Sequence, residues 1–178
     1  QVHIHFDGVY MNADVWINGH HLGNHPYGYT PFWYDLTSYL NLDGDNVLAV
    51  EVKNEGRNSR WYSGSGIYRT VQLMIMNPVH ITHWGPAITT LNISEESAQV
   101  RVRTQVVNES GQHKNVSLRT RVLNPLGQTV AEMQSVSYAS GRFDQILTIE
   151  KPVLWTPDSP SLYQLSQHLL PDSKSIFL

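Results

Sequence analysis

The residues best suited to chemistry lie in one short segment, residues 61–69, which reads Trp-Tyr-Ser-Gly-Ser-Gly-Ile-Tyr-Arg. Its glycines allow backbone conformations that other residues avoid, while Trp61, Tyr62 and Tyr68 offer flat ring faces. Arg69 adds a fork of five hydrogen-bond donors. Rings and a guanidinium suit a surface that binds carbohydrate. The same rings could instead close the end of a β-sandwich, and the segment taken alone favours that packing interpretation.

Histidine is frequent, with nine residues, and raises the question of a metal site. The closest groupings are His3 with His5 on one face of an expected strand, and His20, His21 and His25. A metal site needs further ligands and hydrogen-bonded support around them, and Asp7 is the only carboxylate near the first pair. The sequence therefore predicts exposed or turn-forming histidines, no metal site and no cofactor.

Composition narrows the possible partners. Only 15% of the 178 residues are charged and the formal net charge is −3, so no strong field would collect nucleic acid or an anionic membrane. The absence of cysteine removes disulfides, thiolate zinc sites and a thiol nucleophile. No apolar run suits a membrane-spanning helix, and the chain starts without methionine in an alternating strand pattern, as if inside a domain. The compartment stays open, with a periplasmic or extracellular location favoured for a bacterial protein.

Short alternating runs separated by turn residues predict an all-β architecture. Proline at position 78 cannot donate to a central strand, so we place a domain boundary after Asn77, giving domains at 1–77 and 78–178. The predicted strands are 2–6, 13–17, 32–36, 46–53 and 70–76 in the first domain, with a possible helical turn within 36–42, and 80–84, 88–93, 98–108, 114–123, 129–138, 143–149 and 162–168 in the second.

Seven short strands in about a hundred residues are typical of an immunoglobulin-like sandwich. Alternation predicts an aliphatic core for it, which consists of Val100, Val102, Val116, Leu118, Val122, Leu123, Ile146, Leu147 and Ile149. Trp155 is expected to cover one end of this core. If its ring is buried, Trp155→Ala would cost about 3–5 kcal/mol.

Ordered motifs along the whole chain resemble glycoside hydrolase family 2, the group of β-galactosidases, β-glucuronidases and β-mannosidases. The resemblance to its sugar-binding domain rests on Phe6-Asp-Gly-Val9, Ala13 to Trp16, Asn18-Gly19, Leu22-Gly23, His25, Pro31-Phe32, Asp35-Leu-Thr37, Asn46 to Val52, Asn54 and Ser65-Gly-Ile-Tyr-Arg69. Leu154-Trp-Thr-Pro157, Pro160 and Leu162-Tyr-Gln-Leu165 resemble the last strand of its immunoglobulin-like domain. The resemblance implies the C-terminal part of a jelly-roll sugar-binding domain followed by an immunoglobulin-like β-sandwich.

The same resemblance bears on catalysis. Retaining glycosidases use two carboxyl groups facing each other across the glycosidic bond. We find no such pair here, and the family carries its catalytic glutamates on a barrel that follows the immunoglobulin-like domain. The sequence therefore predicts a non-catalytic fragment without catalytic residues of its own. The resemblance places substrate contacts at Tyr10, Asn12, Arg60 and Trp61, although well-studied members have Asn and Asp at the counterparts of Tyr10 and Arg60.

Two functions remain open. The chain is either the accessory part of a β-galactosidase-like hydrolase, which supports the missing catalytic barrel and its substrate pocket, or an autonomous carbohydrate-binding module with a spacer sandwich. An adhesin-like interaction protein is a weaker third possibility. Carbohydrate is the expected ligand in the context of the full enzyme. Incomplete sheets expose unpaired edges, which makes a homodimer through those edges possible.

Overall fold

The computed structural model describes residues 1–56, 63–112, 115–137 and 141–170. The chain forms two compact units, Gln1–Asn77 and Pro78–Leu178. Apart from one 3-10 turn at Thr37–Tyr39, the regular elements in these described ranges are β-strands, which confirms the predicted all-β class. The turn falls inside the 36–42 stretch where the sequence allowed a helical turn.

The first unit contains eight strands within its described residues. These are β1 (Val2–Phe6), β2 (Val9–Tyr10), β3 (Ala13–Ile17), β4 (His20–His25), β5 (Phe32–Asp35), β6 (Leu48–Val52), β7 (Gly66–Ile67) and β8 (Val71–Ile75). They form two three-stranded sheets, ordered β5-β1-β8 and β4-β3-β6, and a two-stranded pair of β2 with β7. Strands β2, β4 and β7 were not predicted, because two are only two residues long and β4 reads His-His-Leu-Gly-Asn-His, without apolar alternation.

The core of the first unit lies between its two larger sheets. Alternate residues of β3 are buried, and they pack with residues of β1 and β5 in a cluster formed by Ile4, Phe6, Val9, Ala13, Val15, Ile17, Phe32 and Leu36. The Phe6 and Phe32 rings stack with their centroids 4.9 Å apart. A tight turn at Asn18 and Gly19, with φ of 49° and 82°, joins β3 to β4. Two successive positive φ values fit the hairpin turn expected from an Asn-Gly pair.

The second unit contains seven strands within its described residues. These are β9 (Val79–Ile81), β10 (Ala87–Ile93), β11 (Ser97–Asn108), β12 (Val116–Leu123), β13 (Thr129–Ser137), β14 (Gly141–Glu150) and β15 (Gln164–Leu170). Strands β10, β11 and β14 form one sheet in that order, with β9 pairing along β11, and β13-β12-β15 forms the other. The two sheets agree with the expected immunoglobulin-like sandwich.

The core of this sandwich differs from the expected aliphatic one. Most of the predicted residues are buried or packed against the core, but Ile146 is exposed because it alternates with the buried Gln145 and Leu147. Trp155 is also not buried: the residue is 57% exposed. The expected cost of about 3–5 kcal/mol for Trp155→Ala therefore does not apply, since that cost depends on burial of the ring.

A polar network occupies the middle of this core. Gln145, Thr120 and Thr104 are each at most 1% exposed and lie between two apolar clusters. Gln145 accepts a hydrogen bond from Thr120, and Gln167 donates to Thr104 at 2.8 Å and to Thr120 at 2.9 Å. Gln145 belongs to one sheet and Thr120 to the other, so these bonds join the two layers of the sandwich.

Candidate functional site

The pairing of β2 with β7 brings Tyr10 next to the Ser-Gly-Ile-Tyr-Arg motif. Tyr10 lies opposite Gly66, Val9 lies opposite Ile67, and the Tyr68 amide donates to the Gly8 carbonyl at 3.3 Å. Of the four predicted substrate-binding residues, Tyr10 and Asn12 are therefore in this neighbourhood. The other two, Arg60 and Trp61, lie outside the described residues, as does Tyr62.

A shallow cavity of about 180 Å³ opens beside Tyr10 and is the candidate site. Its lining consists of Tyr10, Tyr29, Ser63, Gly64 and Tyr68. The Tyr10 hydroxyl donates to Ser63 Oγ at 3.3 Å, and the Tyr10 ring meets the Tyr29 ring edge to face at 5.4 Å. Tyr10 is buried, whereas Tyr29 is more than half exposed, so Tyr29 presents its ring to solvent.

Two glycines let these rings approach the backbone. A Cβ at position 28 would lie 2.3 Å from Cδ2 of Tyr10, and a Cβ at position 8 would lie 2.7 Å from Cζ of Tyr68. Carbon atoms in contact prefer about 3.5–4.0 Å, so no larger residue fits without moving a ring. The Tyr68 hydroxyl also donates to the Gly28 carbonyl at 2.7 Å, which fixes this ring against the same backbone.

Asn12 holds the segment that carries the exposed tyrosines. Its backbone lies in the left-handed region, with φ of 52°, and its amide donates to the Pro26 carbonyl at 3.1 Å. Its side-chain oxygen accepts from Asn24 Nδ2 at 3.2 Å. Tyr27 follows Pro26 and meets the Tyr29 ring edge to face at 5.6 Å. Asn12 is therefore not among the residues that line the cavity, but it bonds to the residue that precedes Tyr27.

The described side chains that line the cavity are uncharged at neutral pH. The Tyr10 hydroxyl, above all, raises the pKa of Tyr29 above its ordinary value of 10.0, because two neighbouring phenolates would repel each other, and desolvation adds to this. Tyr29 therefore stays a neutral donor and acceptor at physiological pH. None of the described residues that line the cavity is acidic, and the described ranges contain no group of three His, Cys, Asp or Glu side chains that could hold a metal ion.

The histidines of β1 are each placed beside a carboxylate. His5 Nε2 lies 2.8 Å from Asp7 Oδ1, and His3 Nε2 lies 3.9 Å from Asp35 Oδ1. The His3 ring also stacks on Trp33 with centroids 4.6 Å apart. His3 and His5 lie on the face of the β5-β1-β8 sheet opposite Ile4 and Phe6. Both histidines are buried, which contradicts the exposed or turn-forming histidines expected from the sequence.

Family models match both units of the chain. The family model for the glycosyl hydrolases family 2 sugar binding domain matches residues 1–78, and the model for glycosyl hydrolases family 2 matches residues 79–176. The chain belongs to glycoside hydrolase family 2. The resemblance inferred from the sequence is thereby confirmed across both units.

Individual family 2 relatives agree in sequence. The chain is 48% identical over 167 residues to the β-galactosidase BoGH2A of Bacteroides ovatus, an alignment covering 91% of this chain and 20% of that protein. It is 38% identical over 175 residues to a putative β-glucuronidase of Formosa agariphila, covering 98% of this chain and 16% of that protein. The chain thus spans about a fifth or less of these two proteins.

Solved family 2 structures agree in fold. A family 2 glycosyl hydrolase from Bacteroides cellulosilyticus superposes with a TM-score of 0.91 at 41% identity, covering 97% of this chain and 24% of that one. A β-glucuronidase of the same family gives a TM-score of 0.92 at 31% identity, covering 97% of this chain and 21% of that one.

Within the described residues, no helix has the length and apolar character to cross a membrane.

Sequence reasoning missed Tyr27 and Tyr29 as parts of the candidate site. Both were within the family-like stretch, in the run Pro-Tyr-Gly-Tyr at 26–29, but neither was singled out. The sequence feature that could have indicated them is the Tyr-Gly-Tyr triplet, which combines aromatic rings with glycine as the Tyr62 to Tyr68 region does. Their proximity to Tyr10 depends on the hydrogen bond from Asn12 to Pro26, a contact that no local pattern predicts.

Proposed function

We propose that this chain is the accessory part of a β-galactosidase-like family 2 glycoside hydrolase, in which it supports a catalytic barrel and its substrate pocket during carbohydrate breakdown. In this proposal, residues 1–77 are the C-terminal part of the jelly-roll sugar-binding domain and 78–178 are the immunoglobulin-like sandwich. The β-galactosidase assignment is supported by the name of the 48% identical relative.

The observation that carries the proposal is the size and chemistry of the tyrosine-lined cavity. Ligand pockets that enclose a small molecule have volumes of about 300–1,000 Å³. The cavity here is about 180 Å³ and has no acidic lining residue among those described. It can cover one face of a pyranose with the Tyr29 ring while hydroxyl groups bind its edge, and it leaves the remaining walls and the reaction chemistry to another domain. Tyr10, Asn12, Arg60 and Trp61 remain the proposed substrate contacts, with Tyr29 added.

Weak, localised sugar binding is the expected result for the isolated chain. In NMR titrations with galactose, shifts should be confined to the tyrosine cluster, with a Kd weaker than about 10 mM, or less than about 3 kcal/mol of binding free energy. Tyr29→Ala should remove these shifts. A nitrophenyl β-galactoside should not be hydrolysed.

Tyr39→Ala is the matched control for that titration, because Tyr39 is an exposed tyrosine of the same unit that does not line the cavity. Binding tighter than millimolar would contradict the supporting role and favour the alternative, an autonomous carbohydrate-binding module. Galactose shifts that survive Tyr29→Ala would contradict the placement of the site.

An uncovered apolar strip on β8 supports the proposal that this chain associates with further polypeptide. Val71 and Leu73 lie opposite Phe6 and Ile4 in the antiparallel register, so they share the core-side face of the sheet. Yet Leu73 is 59% exposed and Ile75 is 76% exposed, while Phe6 and Ile4 are buried. Apolar residues on the core side of a sheet normally pack against another layer.

Self-association of the isolated chain through this apolar face is the expected consequence, whereas the sequence alone indicated a homodimer through unpaired sheet edges. In sedimentation velocity, the chain should form dimers as its concentration rises, and Leu73→Lys should keep it monomeric because a charge cannot be buried there unpaired. Leu126→Lys, at an exposed leucine of the second unit, is the control. Equal dimerisation of the two variants would show that the strip is not the contact.

A further inference from the structure

Three arginines gather on a solvent-facing side of the second unit. Arg101, Arg103 and Arg142 line one cavity of about 410 Å³. Gly85, Ala87, Thr104, Gln105, Phe143 and Asp144 complete its lining. Neither the family resemblance nor the proposed function assigns a role to this cavity.

Strand alternation explains why the arginines meet. On β11, Val102 and Thr104 are buried, so the residues between them, Arg101 and Arg103, face away from the core. On β14, Phe143 is buried, and Arg142 and Asp144 on either side of it face outward. The antiparallel register sets Arg103 opposite Asp144 and Gln105 opposite Arg142, which brings the four polar side chains onto adjoining positions.

One carboxylate does not neutralise this group. Asp144 binds Arg101 through two hydrogen bonds, one of them from Nε at 2.8 Å and the other from the terminal Nη2. Arg101 above all, and also the charge of Arg103, lowers the pKa of Asp144 below its ordinary value of 3.8, so Asp144 remains ionised near neutrality. Within the described ranges, no carboxylate lies at ion-pair distance from Arg103 or Arg142.

The positive charge is a local property of this face. The chain as a whole has a formal net charge of −3, whereas the cavity lining holds three guanidinium groups against one carboxylate. Like charges on adjoining strand positions are unfavourable unless a counter-charge is present. Asp144 is the single counter-charge in the lining, so a bound anion would offset the positive charge that it leaves on Arg103 and Arg142.

We propose that this cavity binds the carboxylate or sulfate group of an acidic saccharide. Guanidinium groups present paired N–H donors that match planar and tetrahedral oxyanions. The cavity volume of about 410 Å³ exceeds the need of a lone ion and leaves room for the sugar ring that carries the anion. The arginines alone support an anion site, whereas the inference that a saccharide bears the anion rests on the proposed function in carbohydrate breakdown.

Calorimetric titration at fixed ionic strength tests the proposal, with sodium sulfate, glucuronate, an acidic uronate oligosaccharide and neutral galactose as probes. The double variant Arg103→Gln and Arg142→Gln should weaken glucuronate and sulfate binding at least tenfold. Asp144→Asn removes the competing carboxylate and should strengthen it by about fivefold, the effect of one unit charge at about 4 Å in water. A gain in affinity cannot come from a misfolded protein.

Arg121→Gln is the matched control, because Arg121 is an ion-paired strand arginine of the other sheet. It should leave anion binding unchanged. Anion binding that is absent, or that is the same in the double variant as in the parent, would overturn the site. If sulfate binds but the acidic oligosaccharide binds no more tightly than sulfate, the inference that the bound anion belongs to a saccharide is overturned. Galactose shifts at Tyr29 report on the proposed function separately, so the two can fail independently.

Discussion

Replacing Gln145 with glutamate is expected to destabilise the second unit by about 3–4 kcal/mol at pH 7, and by much less at pH 4. The substitution keeps the shape of the side chain but replaces the amide nitrogen with oxygen. That nitrogen donates to the carbonyls of Leu118 and Met133 at 3.3 and 3.4 Å, and to Ser135 Oγ at 3.1 Å. The oxygen that replaces this nitrogen would face two carbonyl oxygens that cannot donate to it, in a site that is 1% exposed.

The dependence on pH follows from the same contacts. Burial and the facing carbonyls would raise the pKa of the introduced carboxyl above its unfolded value of about 4.3. The folded state would then bind the proton more tightly than the unfolded state does. The free energy of unfolding of the variant is therefore highest below about pH 4.3. Above that pH it falls by about 1.4 kcal/mol for each pH unit, until the pH reaches the raised pKa of the folded state.

Urea denaturation at pH 4, 5.5 and 7 measures this effect. Gln134→Glu is the control, since Gln134 is an exposed glutamine on β13 that donates to Ser117 Oγ at 2.8 Å. A change at such a surface position usually stays within about 0.5 kcal/mol. If Gln145→Glu were as stable as Gln134→Glu at pH 7, the polar network would not be sealed from water.

The polar network also marks a limit of prediction from sequence. Alternation on β11 correctly predicted a buried Val102 between the outward-facing Arg101 and Arg103, and Leu118 and Leu147 were also correctly placed in the core, whereas Ile146 was not. It gave no reason to expect glutamine or threonine at the same positions. Their burial depends on partners from the opposite sheet, such as the Thr120 to Gln145 bond, and these partners are distant in the sequence.

The candidate site was predictable where it depends on motifs and not where it depends on loop contacts. Tyr10 was identified through its place after the Phe-Asp-Gly-Val run, and the structure brings it beside Ser63 and Tyr68. Tyr29 was not identified, because its position relies on Asn12 and Pro26 meeting across a loop. Burial of Trp155 could not be predicted, since a motif conveys that a tryptophan is present but not how much of its ring the neighbouring strands cover.

Gly28→Ala is expected to disrupt the candidate sugar site and to cost the first unit about 1–3 kcal/mol of unfolding free energy, the usual range for overpacking. The added Cβ would lie 2.3 Å from Cδ2 and 3.0 Å from Cε2 of Tyr10. Tyr10 cannot simply move aside. Its backbone is paired with Gly66 in the β2-β7 ladder, its hydroxyl is bound to Ser63, and its ring is buried against Tyr29.

The clash should be visible in binding as well as in stability. A displaced Tyr10 ring would shift Tyr29 and Ser63, so the galactose-induced NMR shifts should disappear along with the lost stability. Gly44→Ala is the control, because a Cβ there meets nothing within 4 Å. Alanine should be neutral at position 44, or stabilising by about 0.4–1 kcal/mol through its less flexible unfolded chain. Matching urea curves and galactose shifts for the two variants would mean that the backbone at Gly28 does not support the Tyr10 ring, and the tyrosine-lined cavity would lose its structural basis.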